Sequence, residues 1–541
     1  MRWAWLGWLL ILAASLQAQP PPDPVAGQIR ERIELWRSRA PAATGTLSEA
    51  EAQFYEQHAF APAWGRADTV QQLLRALQGM TGDGLDPQDY GLSQLAQRQA
   101  ALATPAATPS QRAQFDLLAT EAYLSALMDL QRGKVDPATL DPHWNFDAHQ
   151  LDPVQGVQAA RAAVDEGRVA ESFERARPQH PIYARLRTAL AQLRAVAAQG
   201  GWLSIPAGAA LKPGMDDPRV PLLRQRLQLG GYLPVTTQPP GERYDTALAE
   251  AVRRFQQAQY LPADGVLGEA TRAALNVPVS ARIDQLRVNL ERARWLLHHL
   301  QGDFVVVDIA GYQVTYYRDG APAWHSRVQV GKPYRSTPVF KSQITYLTLN
   351  PTWTVPPTIL RHDILPRLRK GLGYLAANRL RVLDSQGRPV APSSVDWNHP
   401  RGIVLRQDAG SGNALGRLAI RFPNDYSVYM HDTPHKELFA RERRAFSSGC
   451  IRVERPRELA VLLLDDPQQW NRAALDRAID TDQTRTVSLR RPVPLLLAYW
   501  TVHLDDDGTL GFRPDIYRRD AAVLAALDRH RPMAARDLIE P

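Results

Sequence analysis

The spacing of apolar residues changes near Asp303, and this change constrains the fold more than any other feature of the 541-residue chain. Before it, from about residue 25 to residue 200, segments rich in Ala, Leu, Gln and Arg repeat apolar residues at helical spacing. After it, short β-branched or aromatic runs such as Phe304–Val307 and Tyr312–Tyr317 are separated by Gly, Pro and Asp. The length also exceeds what one hydrophobic core usually supports. The sequence therefore predicts a multidomain α+β protein with a mostly helical N-terminal part and a β-rich C-terminal part.

A small module and a connecting helix are expected between these parts, and an insert is expected within the β-rich part. Glycines and prolines after residue 200 mark a boundary, and residues 212–278 carry three short amphipathic helices that would enclose one small core, as in a binding module. Residues from about 361 to 415 interrupt the strand pattern and predict a helical and loop insert. The expected units are a helical scaffold domain at 25–200, the small module at 212–278, a connecting helix at 281–300 and a β-rich domain at 303–541.

The first residues have the layout of a secretory signal peptide. Arg2 precedes an apolar stretch, Trp3–Leu16, and a small residue, Ala18, precedes a polar, proline-rich region. The stretch is too short to span a bilayer comfortably, and no other segment is apolar for long enough. We expect residues 1–18 to direct export, either as a cleaved signal peptide or as an uncleaved membrane anchor.

Cysteine usage singles out one residue. An exported chain with a single cysteine, Cys450, cannot form an internal disulfide. A lone thiol in an oxidising compartment is a liability unless it is buried or has a chemical role. The formal charge of +8 is spread along the chain, with no dense basic run beyond Arg441–Arg444, so we do not expect nucleic-acid binding.

The residues around Cys450 have the types that nucleophilic catalysis requires. His431, in the upstream run Tyr429–Thr433, can remove the thiol proton or stabilise the thiolate. Gly449 allows a tight turn, so that the amides around Cys450 can point at one place and hold the oxyanion of a tetrahedral intermediate. Arg452 would lie on the same side of a strand as Cys450, where it could lower the thiol pKa or bind a substrate carboxylate.

Two other interpretations stay open at the level of the residues alone. Free cysteine is often a small buried residue, so Cys450 could be structural. His431 and His435 have the spacing of a metalloprotease helix, which would indicate zinc. Because Pro434 disfavours that helix and no Glu directly follows His431, we expect no metal and no cofactor.

The order of these motifs resembles the signature of the YkuD-type L,D-transpeptidases. The commonest family form has His where this chain has Ser448, and Ser at that place resembles the YcbB-like subgroup. The resemblance is carried by His431-Asp432-Thr433 and Ser447-Ser448-Gly449-Cys450-Ile451-Arg452, and further by Gly331-Lys332, Thr337-Pro338, Asn350–Trp353 and Asn413–Gly416.

The other regions resemble the remaining domains of that subgroup. Residues 212–278 resemble a peptidoglycan-binding domain, the region Trp64–Tyr90 resembles the scaffold domain, and the insert at about 361–415 resembles a substrate-capping subdomain. The resemblance thus covers nearly all of the chain after residue 18. It implies the periplasm of a Gram-negative-type cell, with inner-membrane anchoring if the signal segment is retained.

The resemblance implies a two-step acyl transfer. His431 would activate Cys450, which would attack the carbonyl between the third and fourth residues of a donor tetrapeptide stem and release D-Ala. The side-chain amine of diaminopimelate on a neighbouring stem would then resolve the thioester, which links the third residues of the two stems. The oxyanion site maps to the amides around Gly449 and Cys450. The resemblance further implies that five residues bind substrate or support the motif: Ser447, Ser448, Arg452, Asn413 and Tyr429.

The resemblance also implies partners, and it leaves two alternative functions. The partners would be peptidoglycan, as tetrapeptide stems and glycan strands, with a D,D-carboxypeptidase and glycan-polymerising enzymes. If water resolved the thioester, the protein would be an L,D-carboxypeptidase, and the sequence does not separate the two outcomes. A non-catalytic wall-binding protein would instead rely on residues 212–278 and would not need Cys450.

Overall fold

The computed structural model of the chain describes residues 23–39, 46–104, 106–141, 144–145, 153–235, 241–300, 302–504 and 508–531. The expected signal peptide at residues 1–18 lies outside the described residues. Within the described part, no helix has both the length and the apolar character needed to cross a membrane.

Helices fill the N-terminal half of the chain and strands dominate the C-terminal half, which confirms the predicted α+β organisation. The helices are α1 (Pro24–Arg39), α2 (Leu47–Gln57), α3 (Ala67–Gly79), α4 (Leu92–Leu102), α5 (Pro109–Arg132), α6 (Pro153–Asp165), α7 (Val169–Ala176), α8 (Pro181–Ala198), α9 (Val220–Leu229), α10 (Thr246–Ala258), α11 (Glu269–Leu275), α12 (Val279–Leu296), α13 (Pro357–Ile359), α14 (Leu365–Leu368), α15 (Gly373–Ala377), α16 (Pro456–Leu464), α17 (Arg472–Asp480) and α18 (Asp520–Leu527). The strands are β1 (Phe304–Asp308), β2 (Gln313–Arg318), β3 (Ala321–Gly331), β4 (Phe340–Leu349), β5 (Trp353–Thr354), β6 (Leu380–Asp384), β7 (Ile403–Gln407), β8 (Leu418–Arg421), β9 (Met430–His431), β10 (Ala445–Ser447), β11 (Ile451–Val453), β12 (Arg485–Ala498), β13 (Val502–Leu504) and β14 (Leu510–Phe512).

The scaffold core forms around α5. This helix begins with a capping box, in which the side chains of Thr108 and Gln111 each accept a hydrogen bond from the other residue's backbone N–H. The same core includes Val288 of α12 and both Val523 and Leu527 of α18. The C-terminal helix therefore packs with the scaffold, whereas the sequence assigned all of residues 303–541 to the β-rich domain. The short apolar pattern of α18 predicts a buried face and does not indicate which core buries it.

The small module is built from α9, α10 and α11. The Tyr244 hydroxyl donates a hydrogen bond to the carbonyl of Gly265 over 2.8 Å. The buried Gln256 amide donates to the carbonyl of Val266 over 3.0 Å, and its oxygen accepts from the Gly265 N–H over 2.8 Å. These residues therefore stabilise the turn around Gly265.

The C-terminal hairpin of β13 and β14 holds the module against the rest of the chain. The Tyr232 hydroxyl donates to the carbonyl of Leu510 over 2.5 Å, and Arg513 Nε donates to the Tyr260 hydroxyl over 2.9 Å. A Cβ on Gly511 would lie 2.6 Å from the carbonyl oxygen of Ala258, so the hairpin backbone touches the end of α10 directly. The module thus has a fixed docking site.

The β-rich domain is a closed sheet. Nine strands follow the order β10-β3-β11-β9-β8-β4-β12-β1-β2, and a further pairing between β2 and β3 closes the ring. Most pairs are antiparallel, but β1 with β12, β9 with β11 and β3 with β10 are parallel. The enclosed core is formed by alternating strand residues, with α16 and α17 packed against it. This closure leaves β9 and β11 side by side in the wall of the barrel, where the motif residues lie.

The insert has its own small core and includes strands. A three-stranded sheet of order β5-β7-β6 packs with α13, α14 and α15 around residues such as Leu365, Leu368 and Leu405. The sequence predicts only helix and loop at about 361–415, and the structure adds β6 and β7 there, with β7 paired to both β6 and the upstream β5. These strands were not predicted because their pairing joins residues that are distant in sequence. Leu380, for example, pairs with Gln407, and local spacing does not reveal such a contact.

Candidate active site

The parallel pairing of β9 and β11 brings the two predicted catalytic residues together. His431 lies opposite Arg452 in the strand register, and Cys450 immediately precedes β11. The Ile451 N–H donates to the carbonyl of Tyr429 over 3.0 Å, which fixes the register next to the cysteine. Segments that are distant in sequence thus form one site at the start of β11.

The loop that carries the cysteine is held by a serine. Gly449 has a φ of +116°, a conformation that a side chain would strain. Ser447 Oγ accepts from the Gly449 N–H over 3.1 Å and donates to the carbonyl of Cys450 over 2.6 Å. Ser447 therefore holds the turn around Cys450 with two hydrogen bonds.

Burial dominates the electrostatics of the cysteine. Cys450 is half-buried, and its Sγ lies 3.8 Å from the carbonyl oxygen of Ser427. Burial raises the pKa of the Cys450 thiol, while hydrogen bonds from the backbone and hydroxyl of Tyr429 and the charges of Arg421 and Arg452 lower it. Because the net pKa shift is upward, the resting side chain is a neutral thiol. Arg452 acts in the predicted direction on the thiol pKa, but burial outweighs it.

His431 is buried and neutral. Burial lowers its pKa to about 3, and the nearby Arg452 charge acts in the same direction. Its Nδ1 contacts the carbonyl oxygen of Asp432, and the ring also interacts with the carbonyl of Leu415. Since carbonyl oxygens accept hydrogen bonds, Nδ1 carries the proton, and Nε2 is the acceptor nitrogen of the ring. The imidazole is therefore already in the basic form.

The loop that orients His431 is organised by Asn413 and Asp432. Asn413 Oδ1 accepts from the Leu415 N–H over 2.8 Å, and its carbonyl accepts from the Gly416 N–H over 2.9 Å. Asp432 Oδ2 accepts from the Arg417 N–H over 2.9 Å. These bonds hold the Leu415 carbonyl in place against the imidazole, so Asn413 supports the site indirectly through the base.

Gly416 provides a test of this loop. It has a φ of +61°, and an added Cβ would lie 2.5 Å from Asp432 Cγ. We expect Gly416→Ala to lower the free energy of unfolding by at least about 2 kcal/mol, since backbone strain and the steric clash add. Denaturant unfolding measures the loss. Gly373→Ala is the matched control, because nothing lies within 4 Å of its added Cβ and its φ is not positive. Equal stability of the two variants would contradict the expectation.

The other two predicted site residues with side-chain contacts are Arg452 and Ser448, and each binds a different residue. Arg452 donates to Gln329 Oε1 over 3.3 Å, and its buried Nε has no hydrogen-bond partner among the described residues. Ser448 Oγ accepts from Arg335 over 3.0 Å. Arg335 also forms an ion pair with Asp363 of the insert. The Arg335 guanidinium thus connects Ser448 to the insert.

Several of these contact residues were not predicted from the sequence. Arg421 lies with its guanidinium carbon 4.1 Å from the centroid of the Tyr429 ring, and its charge lowers the pKa of both Cys450 and His431. Gln329, Arg335 and Asp363 were also missed. None belongs to the motifs around Cys450, and only the barrel register and the fold of the insert bring them close. The Arg421 position, eight residues before Tyr429 in the adjacent strand segment, gave no local signal.

Among the residues that the structure describes, none forms a metal-binding group with His431. His435 is exposed and lies 3.5 Å from Glu437, away from the buried imidazole. In the part of the chain that the structure describes, no group of three or more His, Cys, Asp or Glu side chains is arranged to hold a metal ion.

Comparison with protein families identifies the barrel. Residues 302–471 match the YkuD family model, described as "L,D-transpeptidase catalytic domain". The chain contains an L,D-transpeptidase catalytic domain of the YkuD family. Residues 49–190 match a model described as "Scaffold domain", and residues 216–275 match one described as "Putative peptidoglycan binding domain". The YkuD family consists of cysteine-dependent acyltransferases, and Cys450 is the single cysteine of this chain.

Individual relatives are similar over part of their length. A Haemophilus influenzae protein described as "Putative L,D-transpeptidase" is 34% identical over 242 residues, which is 44% of this chain and 48% of that protein. This chain thus spans about half the length of that curated relative. Among solved structures, an L,D-transpeptidase from Mycobacterium smegmatis is 16% identical over 36% of this chain and 58% of its own, with a TM-score of 0.17. One from Stackebrandtia nassauensis is 12% identical over 55% of this chain and 96% of its own, with a TM-score of 0.21. With TM-scores this low, the family assignment rests on the sequence matches.

Proposed function

We propose that the protein is an L,D-transpeptidase that cross-links peptidoglycan between diaminopimelate residues of adjacent stems. The observation that carries the proposal is the parallel pairing of β9 with β11, which places the neutral, carbonyl-bound His431 on the strand beside the one that directly follows the half-buried Cys450 thiol. A base that is already deprotonated can accept the thiol proton as sulfur attacks, so no preformed thiolate is needed.

In the first step, His431 Nε2 accepts the proton of the Cys450 thiol while Sγ attacks the carbonyl carbon between the third and fourth residues of a donor tetrapeptide stem. The oxyanion of the tetrahedral intermediate is stabilised by the amides around Gly449 and Cys450. When the intermediate collapses, the C–N bond breaks, the imidazolium returns its proton to the departing nitrogen, and D-Ala leaves. The product is a thioester between the donor and Cys450.

In the second step, the side-chain amine of diaminopimelate on an acceptor stem attacks the thioester carbonyl. His431 Nε2 takes a proton from the attacking nitrogen and returns it to the departing sulfur, which regenerates the thiol. The acceptor thereby gains an amide bond to the donor. Arg452 is a substrate-carboxylate ligand in this proposal, supported by its position opposite His431 and its unpartnered Nε.

The surrounding domains support a cell-wall location for this reaction. The module at 216–275 provides peptidoglycan binding, and its docking against β13 and β14 holds it at a fixed place relative to the barrel. Peptidoglycan lies outside the cytoplasm, so we propose export to the periplasm through residues 1–18, with cleavage or anchoring as the two forms. A D,D-carboxypeptidase that shortens pentapeptide stems would supply the donor, and glycan-polymerising enzymes would supply the strands.

Product analysis separates this function from its alternatives. The protein from residue 19 onwards is incubated with disaccharide fragments that carry tetrapeptide stems, beside Cys450→Ala, and the products are identified by mass spectrometry. We expect a cross-linked dimer and free D-Ala from the wild-type protein alone. Tripeptide product without dimer would instead identify a carboxypeptidase. No product from either sample, with both proteins folded, would contradict catalysis and favour a wall-binding role.

A further inference from the structure

The peptide bond between Gly449 and Cys450 is anchored on one side by Thr337. The hydroxyl of this buried residue donates to the carbonyl of Gly449 over 2.8 Å and accepts from the N–H of Gly331 over 2.9 Å. In a planar trans peptide, the C=O and the following N–H point in opposite directions. The bond from Thr337 to the Gly449 oxygen therefore also sets the direction of the Cys450 N–H.

Thr337 is in turn held by a tyrosine from the C-terminal segment. The Tyr517 hydroxyl donates to the carbonyl of Gly331 over 2.7 Å and accepts from the N–H of Thr337 over 3.1 Å. One phenol thus ties both ends of the loop from Gly331 to Thr337. The loop is tight, because a Cβ on Gly331 would lie 2.1 Å from the carbonyl oxygen of Arg335.

Tyr517 is itself placed rigidly. Its ring stacks on Tyr499 with centroids 5.5 Å apart and an interplanar angle of 16°. Its N–H donates to the Tyr499 hydroxyl over 2.9 Å, and that hydroxyl donates to Asp515 over 2.6 Å. Tyr499 is buried and Tyr517 is half-buried, and both lie outside residues 302–471 of the matched catalytic domain. A phenol held this firmly can transmit its position to the loop it bonds.

We propose that Tyr517, acting through Thr337, is a positioning residue that orients the Cys450 amide toward the oxygen of the reacting carbonyl. The inference rests on the proposed acyl transfer and adds to it a residue that no motif contains. Without the Tyr517 hydroxyl, the loop from Gly331 to Thr337 loses two hydrogen bonds, and Thr337 holds the Gly449 carbonyl less firmly. The Cys450 N–H then points at the oxyanion for a smaller fraction of the time.

Two reactions of the same thiol distinguish this role from general support of the fold. Acylation by p-nitrophenyl acetate passes through a tetrahedral oxyanion, whereas alkylation by iodoacetamide is a direct displacement with no oxyanion. Both are measured on the full chain from residue 19. Neither requires a peptidoglycan donor, so failure of this proposal and failure of the proposed function are distinguishable.

We expect Tyr517→Phe to slow acylation about 10- to 100-fold, less than complete removal of an oxyanion donor, and to leave the alkylation rate within about twofold. Thr337→Val should slow acylation to a similar extent. The double variant should be little slower than either single variant, because both changes break the same chain of hydrogen bonds. Thr337→Ser keeps the hydroxyl and should restore acylation.

The matched control is Tyr123→Phe in the scaffold core. The Tyr123 hydroxyl also bonds a backbone carbonyl, that of Ala160 over 3.2 Å, and the Ser172 hydroxyl over 2.8 Å, so its loss removes comparable buried bonds far from the cysteine. Tyr123→Phe should leave both thiol reactions unchanged. The proposal is overturned if Tyr517→Phe slows both reactions equally, or slows neither. If Tyr517→Phe does not fold, the comparison of Thr337→Val with Thr337→Ser decides: equal acylation by these two variants overturns the proposal.

Discussion

Cys450→Ser is expected to reduce acyl-enzyme formation at least about 10⁴-fold, although the substituted side chain is nearly the same size. An alcohol is far harder to deprotonate than a thiol, and the base beside it is weak, since burial holds the pKa of His431 at about 3. That imidazole can assist a thiol during attack, because sulfur is nucleophilic with little negative charge. It cannot activate a hydroxyl to the same extent. A serine protease has a much more basic histidine, oriented and stabilised by a carboxylate, whereas His431 Nδ1 contacts a neutral carbonyl.

The measurement is the mass of the intact protein after incubation with donor stems, which reports the thioester or ester directly. Thermal unfolding of Cys450→Ser should match the wild type, since the side chain is half-buried and its hydrogen bond to the carbonyl of Ser427 is long, at 3.8 Å. If the Cys450→Ser variant formed an ester at a rate within about tenfold of the wild-type thioester, His431 would be a much stronger base than its buried position implies.

The parts of the fold that follow local patterns could be predicted from the sequence. Helical spacing predicts the scaffold, and the module core at Val220, Leu223 and Phe255 follows from amphipathic periodicity. Short β-branched runs predict a β-rich domain, although not its closure into a barrel, because strand residues alternate between core and surface. In the site, Cys450 and His431 could be paired because their residue types and order indicate one chemistry.

The parts that were missed depend on contacts between distant residues. Leu380 pairs with Gln407 in the insert, and Leu527 of α18 joins the scaffold core, neither of which has a local signature. β12 includes two prolines, at 492 and 494, that argue against a strand by propensity. The register shift between Ser488 and Val493 accommodates Pro492, whereas Pro494 lies opposite Gln343 in the paired part of the strand. Tertiary pairing therefore overrides the local signal at these places.

The same distinction applies to the electrostatics of the site. The sequence places Arg452 near Cys450 and predicts a lowered thiol pKa, but it does not show how deeply the pair is buried. In the structure, burial raises the pKa of Cys450 and lowers that of His431, so both groups are neutral at pH 7. A thiolate–imidazolium pair would have required the opposite pKa order. The resting protonation state is thus a property of the packing around the motif.

His431→Gln is expected to lower the acylation rate about 10²- to 10⁴-fold, because it removes the general base and keeps a polar side chain of similar length. The pH dependence gives a sharper test. With a neutral resting pair, iodoacetamide alkylation of the wild type should rise only above the ordinary thiol pKa of about 8.5, and His431→Gln should leave that midpoint almost unchanged. With an ion pair, alkylation would already be fast at about pH 5 to 6, and removal of the imidazole would abolish that reactivity. An alkylation midpoint below about pH 7 in the wild type would therefore contradict the neutral pair.

The His431 pKa determines how folding stability changes as the pH falls below neutral. The pKa of His431 is lowered to about 3 in the folded protein and is about 6.5 in the unfolded chain. The unfolded state thus binds the extra proton between these values, so this group's contribution to stability is complete above about pH 6.5 and decreases as the pH falls toward 3. The acylation rate of the wild type should stay constant from about pH 8 down to about pH 5, because His431 stays deprotonated. Circular dichroism checks that the protein is folded at each pH. His431→Gln should lose less stability than the wild type between about pH 6.5 and about pH 4. A larger loss in the variant would show that another buried group controls the acid response and that the imidazole is not the neutral base on which the proposed mechanism depends.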